Sequence, residues 1–160
     1  MNYSLFPRFK RVLITGGSGF IGSNFILRLL KTKSLKLFNI DKISNVSDID
    51  FLNDLNDKQK SNYRFLRLDL KNQLDIEKVV EKLKPELIVN FAAESHVDKS
   101  IKDPKEFLES NTIGTFNLLE ASRSYWEKLK TKQKENFRFL HISTDEVFGS
   151  LNEKGKFTEK

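Results

Sequence analysis

Arg11-Val12-Leu13-Ile14-Thr15-Gly16-Gly17-Ser18-Gly19-Phe20-Ile21-Gly22 is a short apolar run that stops at glycines and resumes with a helical pattern. Residues 11–15 read as a buried strand. Over residues 20–31, Ile21, Phe25 and Leu29, with Ile26 and Leu30, recur at helical spacing. The glycines between them permit a tight turn and let another backbone come close. A helix start also carries unpaired N–H groups and the positive end of the helix dipole. Strand, glycine turn and helix together make a cradle for a pyrophosphate.

Working outward, residues 35–40 form a second apolar run that ends at Asp41. Asp41 lies nineteen residues after Gly22, the spacing expected of an acid on adenosine ribose hydroxyls. A carboxylate there repels a ribose phosphate, which favours NAD over NADP. The competing reading is an ordinary glycine turn followed by an exposed Asp. Residues 42–62 are polar and read as loop, with a short helix at 48–55. Strands follow at 63–68, 87–90 and 137–143. Helices fall at 75–83, stopped by Pro85, and at 105–126. This alternation demands crossover connections, hence a parallel sheet with helices on both faces. Ligands of such sheets bind at the carboxyl ends of the strands. Gly16, Asp41, Asp69, Ala92 and Thr144 all lie just past those ends.

At 160 residues, 38% hydrophobic and 31% charged, the chain has the size and composition of one globular domain. Its net charge of +6 comes from scattered lysines without a nucleic-acid motif. No run reaches membrane-span length. With no cysteine, disulfides, thiolate metal sites and a Cys nucleophile are excluded, which fits a cytoplasmic protein. The two histidines, His96 and His141, lack metal-ligand spacing, and no metal is expected.

A third feature is His141-Ile142-Ser143-Thr144-Asp145-Glu146-Val147-Phe148-Gly149. Two adjacent carboxylates at the end of a buried strand repel each other and resist desolvation. Such a pair suits a site that needs both an acid and a base; a capped turn after the strand is the plainer alternative.

These motifs, with A-A-E-S-H-V-D-K-S-I at 92–101, resemble the extended short-chain dehydrogenase/reductase superfamily. Within it they are similar to the family of dTDP-glucose 4,6-dehydratases, over residues 11–160. The resemblance implies a Rossmann NAD-binding fold, a doubly wound parallel α/β sheet, truncated at its C-terminal side. It implies an NAD-dependent hydro-lyase that converts dTDP-glucose to the 4-keto-6-deoxy sugar and water. In that reaction hydride leaves sugar carbon 4, a carboxylate takes the carbon 5 proton, a carboxylic acid protonates the departing carbon 6 hydroxyl, and hydride returns to carbon 6.

By the resemblance, Asp145 is the acid, Glu146 the base, and Thr144 holds a sugar hydroxyl. Gly16, Gly19, Phe20, Ile21 and Gly22 meet the cofactor. Asp41, Lys42, Ile43 and Ser44 hold the adenosine ribose, and Asp69 and Leu70 border the adenine. Phe91, Ala92, Ala93 and Ser95 pass under the cofactor, with Ser95 also facing the sugar. Ser110 stands where Thr is common and keeps its hydroxyl, so it is a cofactor contact. Phe148 stands where Tyr is usual and keeps the packing. His96 reads as a core or supporting residue, and His141 as a strand residue. The helix at 105–126 is expected to pack within the domain and to join a homodimer.

The family also needs a Tyr-x-x-x-Lys pair after the Thr-Asp-Glu strand. Tyr3, Tyr63 and Tyr125 are the tyrosines here, and none has Lys four positions on. The expectation is therefore an extension at 1–10, an incomplete NAD-binding domain at 11–149, and a loop at 150–160 leading to further sequence. The whole is read as the N-terminal part of a longer enzyme, inactive alone. Alternatives are another NAD-dependent nucleotide-sugar dehydratase or epimerase, or a non-catalytic NAD-binding module. The acid pair argues against an epimerase, which performs no elimination.

Overall fold

The structure, a computed structural model, describes residues 9–32, 35–42, 53, 55–151 and 155–158. Its sheet runs in the order β3-β2-β1-β4-β5, with every pair parallel. The strands are β1 (Arg11–Thr15), β2 (Lys36–Asp41), β3 (Tyr63–Arg67), β4 (Leu87–Asn90) and β5 (Arg138–His141). This is the doubly wound order, and its reversal point lies between β1 and β4. The α/β expectation holds.

Strand residues alternate between two cores because successive side chains point to opposite faces. Val12, Ile14, Leu37, Leu87 and Val89 pack with Ile26, Leu29 and Leu30 of α1 (Phe20–Thr32). Leu13, Phe38, Ile40 and Ile88 face the other side. There they meet Ile76, Val80 and Leu83 of α3 (Gln73–Leu83) and Leu118, Ala121 and Tyr125 of α6 (Thr115–Glu127). Phe9 is buried in the first of these cores, so packing begins before the first strand.

Four sequence expectations change. Ile21 shares the helical spacing of Leu29 and Ile26, yet it is 64% exposed, because it sits where α1 opens at the turn. The long helix at 105–126 is divided. It consists of α5 (Pro104–Phe107), a π-helical segment (Leu108–Gly114) and α6. The wider π turn places Gly114 against Leu70, where an added Cβ would lie 3.0 Å from Leu70 Cβ. It also offsets the apolar stripe, leaving Leu108, Ile113, Phe116, Leu119 and Trp126 exposed.

Strand five is not buried. Its pattern is one partly covered residue, Phe139, among exposed ones, because β5 pairs only with β4 and ends the sheet among the described residues. Short polar helices α2 (Asp57–Lys60), α4 (Val97–Lys102) and α7 (Thr131–Asn136) are also present where no helix was expected. The expected helix at 48–55 lies largely outside the described residues.

Candidate functional site

The turn after β1 is fixed by its own backbone and by two side chains of β2. Gly16 has φ +69° and donates its N–H to Ile40 O at 2.9 Å. A Cβ there would meet Ala92 N at 2.5 Å, so the turns after β1 and β4 touch at the sheet's reversal point. At Gly22 a Cβ would lie 2.4 Å from Gly16 O, so the helix can sit on the turn only with glycine at that position. Gly19 differs: its Cβ would meet only Gly16 O, at an ordinary 3.5 Å, and the residue is exposed. Packing therefore does not explain Gly19, whereas room for a ligand's phosphates does. Phe20, Ile21 and Gly22 open α1, where N–H groups have no acceptor within the helix. The turn thus fits a pyrophosphate.

Asp41 Oδ2 accepts the Ser18 N–H at 2.9 Å, which brings the β2 carboxylate beside the glycine turn. Asn39 was missed by the sequence reading. Fully buried in β2, it accepts the Gly17 N–H at 3.0 Å and donates to Ser18 Oγ at 3.2 Å and to Tyr63 Oη at 3.0 Å. The signal available was a polar amide inside the apolar run Leu37-Phe38-Asn39-Ile40. A buried amide needs partners, and the turn supplies them.

Asn90 does the same at the end of β4. Its Oδ1 accepts from Thr15 Oγ1 and from the Ala92 N–H at 3.1 Å. Its Nδ2 lies 3.1 Å from His141 Nδ1. The loop beyond is held from the π segment: Asn111 Oδ1 accepts the Glu94 N–H at 2.7 Å, and its Nδ2 donates to Glu94 O at 2.9 Å. Phe91 and Ala92 are half-buried, Ala93 and Ser95 exposed. His96 is exposed rather than in the core; its carbonyl accepts the Ser100 N–H at 3.1 Å, opening α4.

Beyond β3, Asp69 Oδ1 accepts the Lys71 N–H at 3.0 Å, forming a local turn. The Leu70 side chain is buried in the core. Lys42 Nζ donates to Glu106 Oε1 at 2.6 Å, pairs with Glu94 Oε1 at 2.7 Å and reaches Ser110 Oγ at 3.5 Å. Burial works against the Lys42 charge, but the carboxylate partners outweigh it and its pKa is raised. The hydrogen bonds from Lys42 and Lys71 lower the Glu106 pKa. Ile43 and Ser44 lie outside the described residues.

Thr144, Asp145 and Glu146 follow β5 at the same edge of the sheet, where Ile142 N–H donates to Asn90 O at 3.0 Å. Thr144 caps the short 3-10 turn Asp145–Phe148, its Oγ1 accepting the Glu146 N–H at 3.3 Å. All three side chains are exposed, so the acid pair is not desolvated by the described residues. Phe148 does not join the core; it stacks on Phe157 at 5.5 Å. The glycine turn, the β2 acid and the β4 loop are thus brought together, and the acid pair stands at the same edge on an uncovered strand.

Known proteins are similar to this chain in sequence and fold. A dTDP-glucose 4,6-dehydratase of Xanthomonas campestris pv. campestris is 41% identical over 147 residues, which cover 92% of this chain and 41% of the relative. The chain spans about two fifths of the length of the curated relatives it matches. The crystal structure of dTDP-glucose 4,6-dehydratase from Bacillus anthracis str. Ames, in complex with NAD, is similar at 35% identity. Its TM-score is 0.71, and the match covers 93% of this chain and 42% of that one. The DesIV dTDP-glucose 4,6-dehydratase of Streptomyces venezuelae, with NAD bound, matches at 32% identity and a TM-score of 0.73, covering 93% and 44%. The family model described as GDP-mannose 4,6 dehydratase matches residues 13–160, and the chain belongs to that family.

Proposed function

We propose that this chain supplies the NAD-binding unit of a dTDP-glucose 4,6-dehydratase. The observation that carries the reading is one shared edge: the glycine turn with its open Gly19 and the Thr144-Asp145-Glu146 turn both stand at the carboxyl end of the same parallel sheet. NAD bound there would supply the hydride acceptor and donor of the reaction.

The chain's own residues would do the rest. The turn N–H groups and the α1 dipole receive the pyrophosphate. Asp41 accepts the ribose hydroxyls, with Lys42, Ile43 and Ser44 beside it. Asp69 and Leu70 border the adenine, and Ser110 is a further cofactor contact. The segment 91–95 passes under the cofactor, and Ser95 and Thr144 face the sugar. Glu146 removes the carbon 5 proton, and Asp145 delivers a proton to the leaving hydroxyl. Domain assignments follow from this reading: an extension at 1–10, the NAD-binding unit at 11–149 and a connecting loop at 150–160. The exposed apolar residues Leu108, Ile113, Phe116, Leu119 and Trp126 support a homodimer formed through the π segment and α6. No described helix is long and apolar enough to cross a membrane, and a cytoplasmic setting is proposed.

Calorimetry on the 160-residue chain tests the reading. It should bind NAD, and bind NADP more weakly. Tighter NADP binding would remove the role given to Asp41. The same chain should form no 4-keto-6-deoxy sugar from dTDP-glucose, because these 160 residues contain no Tyr-x-x-x-Lys pair. Turnover would refute the need for that pair.

A further inference from the structure

Lys42 and Lys71 stand just beyond the ends of β2 and β3, on the side of the site assigned to adenosine. Those strand ends are joined directly, Leu68 N–H donating to Asp41 O at 3.0 Å. One residue holds both lysines. Glu106 Oε1 accepts from Lys42 Nζ at 2.6 Å, and Glu106 Oε2 accepts from Lys71 Nζ at 3.1 Å. Glu94 adds a second partner for Lys42 at 2.7 Å. Lys71 is further paired with Glu109 at 3.3 Å and Asp69 at 3.7 Å.

Cations beside an adenosine ribose ordinarily recruit a 2′-phosphate. Here both cations are engaged by carboxylates: Glu94 and Glu106 on Lys42, and Glu106, Glu109 and Asp69 on Lys71. Each lysine is about one third exposed, so neither pair is fully solvated. We infer that Glu106 is a specificity-determining residue for the dinucleotide. By bridging Lys42 to Lys71 it withholds both from a 2′-phosphate and reinforces the selection for an unphosphorylated ribose. The inference rests on the NAD reading above and adds to Asp41 a second, separate discriminator. The lowered Glu106 pKa and the raised pKa of both lysines accord with ion pairs that persist at neutral pH.

The test compares NAD and NADP dissociation constants by calorimetry on the 160-residue chain and three variants. Glu106→Gln keeps the shape and removes the one charge shared by both lysines, leaving Lys42 with Glu94 and Lys71 with Glu109 and Asp69. Its NADP-to-NAD ratio of dissociation constants should fall about tenfold. Glu109→Gln releases Lys71 from one partner only and should lower the ratio less. Glu106→Asp keeps the charge and should stay near the parent value. Raising salt from about 0.05 M to about 0.5 M should shrink the Glu106→Gln effect, because the lysines act through charge.

A Glu106→Gln ratio within about twofold of the parent, in a chain that binds NAD, would overturn this inference and leave the NAD site standing. Loss of both dinucleotides in Glu106→Gln, or an effect unmoved by salt, would make Glu106 a brace for α5 and also overturn it. A parent chain that binds neither dinucleotide would refute the cofactor reading, and this inference with it.

Discussion

The glycine turn after β1 and the Thr-Asp-Glu turn after β5 stand at the same edge of one sheet and are built by opposite means. Around the first, β1 has Val12, Leu13 and Ile14 fully buried, and the turn is locked by Asn39, Asp41 and the backbone of Ala92. Around the second, β5 has a strand neighbour on one side only among the described residues, and residues 141–150 are all exposed. Its turn is held by local bonds from Thr144 and by the stack of Phe148 on Phe157. The difference teaches that the glycine turn is already organised by this chain, whereas the acid pair is positioned along the chain but not enclosed. Enclosure is what would strengthen the electrostatics at Asp145 and Glu146.

The sharpest way to break that comparison is at Gly22. Gly22→Val forces a side chain into the Gly16 carbonyl and should cost about 3 kcal/mol in urea unfolding while abolishing NAD binding in calorimetry. Retained NAD binding would mean that the turn tolerates movement and is no more organised than the β5 turn. A matched pair of leucines sharpens the contrast next. Leu13→Ala in β1 should lose about 2–5 kcal/mol of stability. Leu140→Ala in β5, 42% exposed, should lose less than about 1 kcal/mol. Equal losses would show β5 to be as well packed as β1. The smallest effects belong to the acids themselves. Asp145→Asn and Glu146→Gln should each leave the unfolding free energy of this chain within about 0.5 kcal/mol. A larger stabilisation or loss in either variant would reveal coupling between the acid pair and the core.

Much of the cradle was legible from residues alone. The β1 strand, the glycine turn, α1 and the acid closing β2 are neighbours along the chain, and their periodicities and glycines are local requirements. Gly22 sits against Gly16 O and Gly17 Cα, where close approach leaves no room for a side chain. The π segment was not legible. Residues 105–126 read as one helix, and nothing in their apolar pattern marks the wider segment Leu108–Gly114, where Gly114 lies against Leu70. Asn39 and Asn90 looked like interruptions of apolar strands, since their partners come from other strands and turns. The short helices α2, α4 and α7 lack an apolar period long enough to read, and capping holds α2.

By itself the sequence determined the order of the five strands with α1 and α3 between them, the glycine turn, the acid at the end of β2 and the Thr-Asp-Glu triplet. Each follows from spacing along the chain or from the chemistry of a single residue type. Only the tertiary structure decided which residues share a charge. Lys42 and Lys71 meet on Glu106 across separations of 64 and 35 residues, which no local pattern encodes. It also decided that β5, apolar enough to read as buried, is exposed, because a strand's burial belongs to its neighbours as much as to its own side chains.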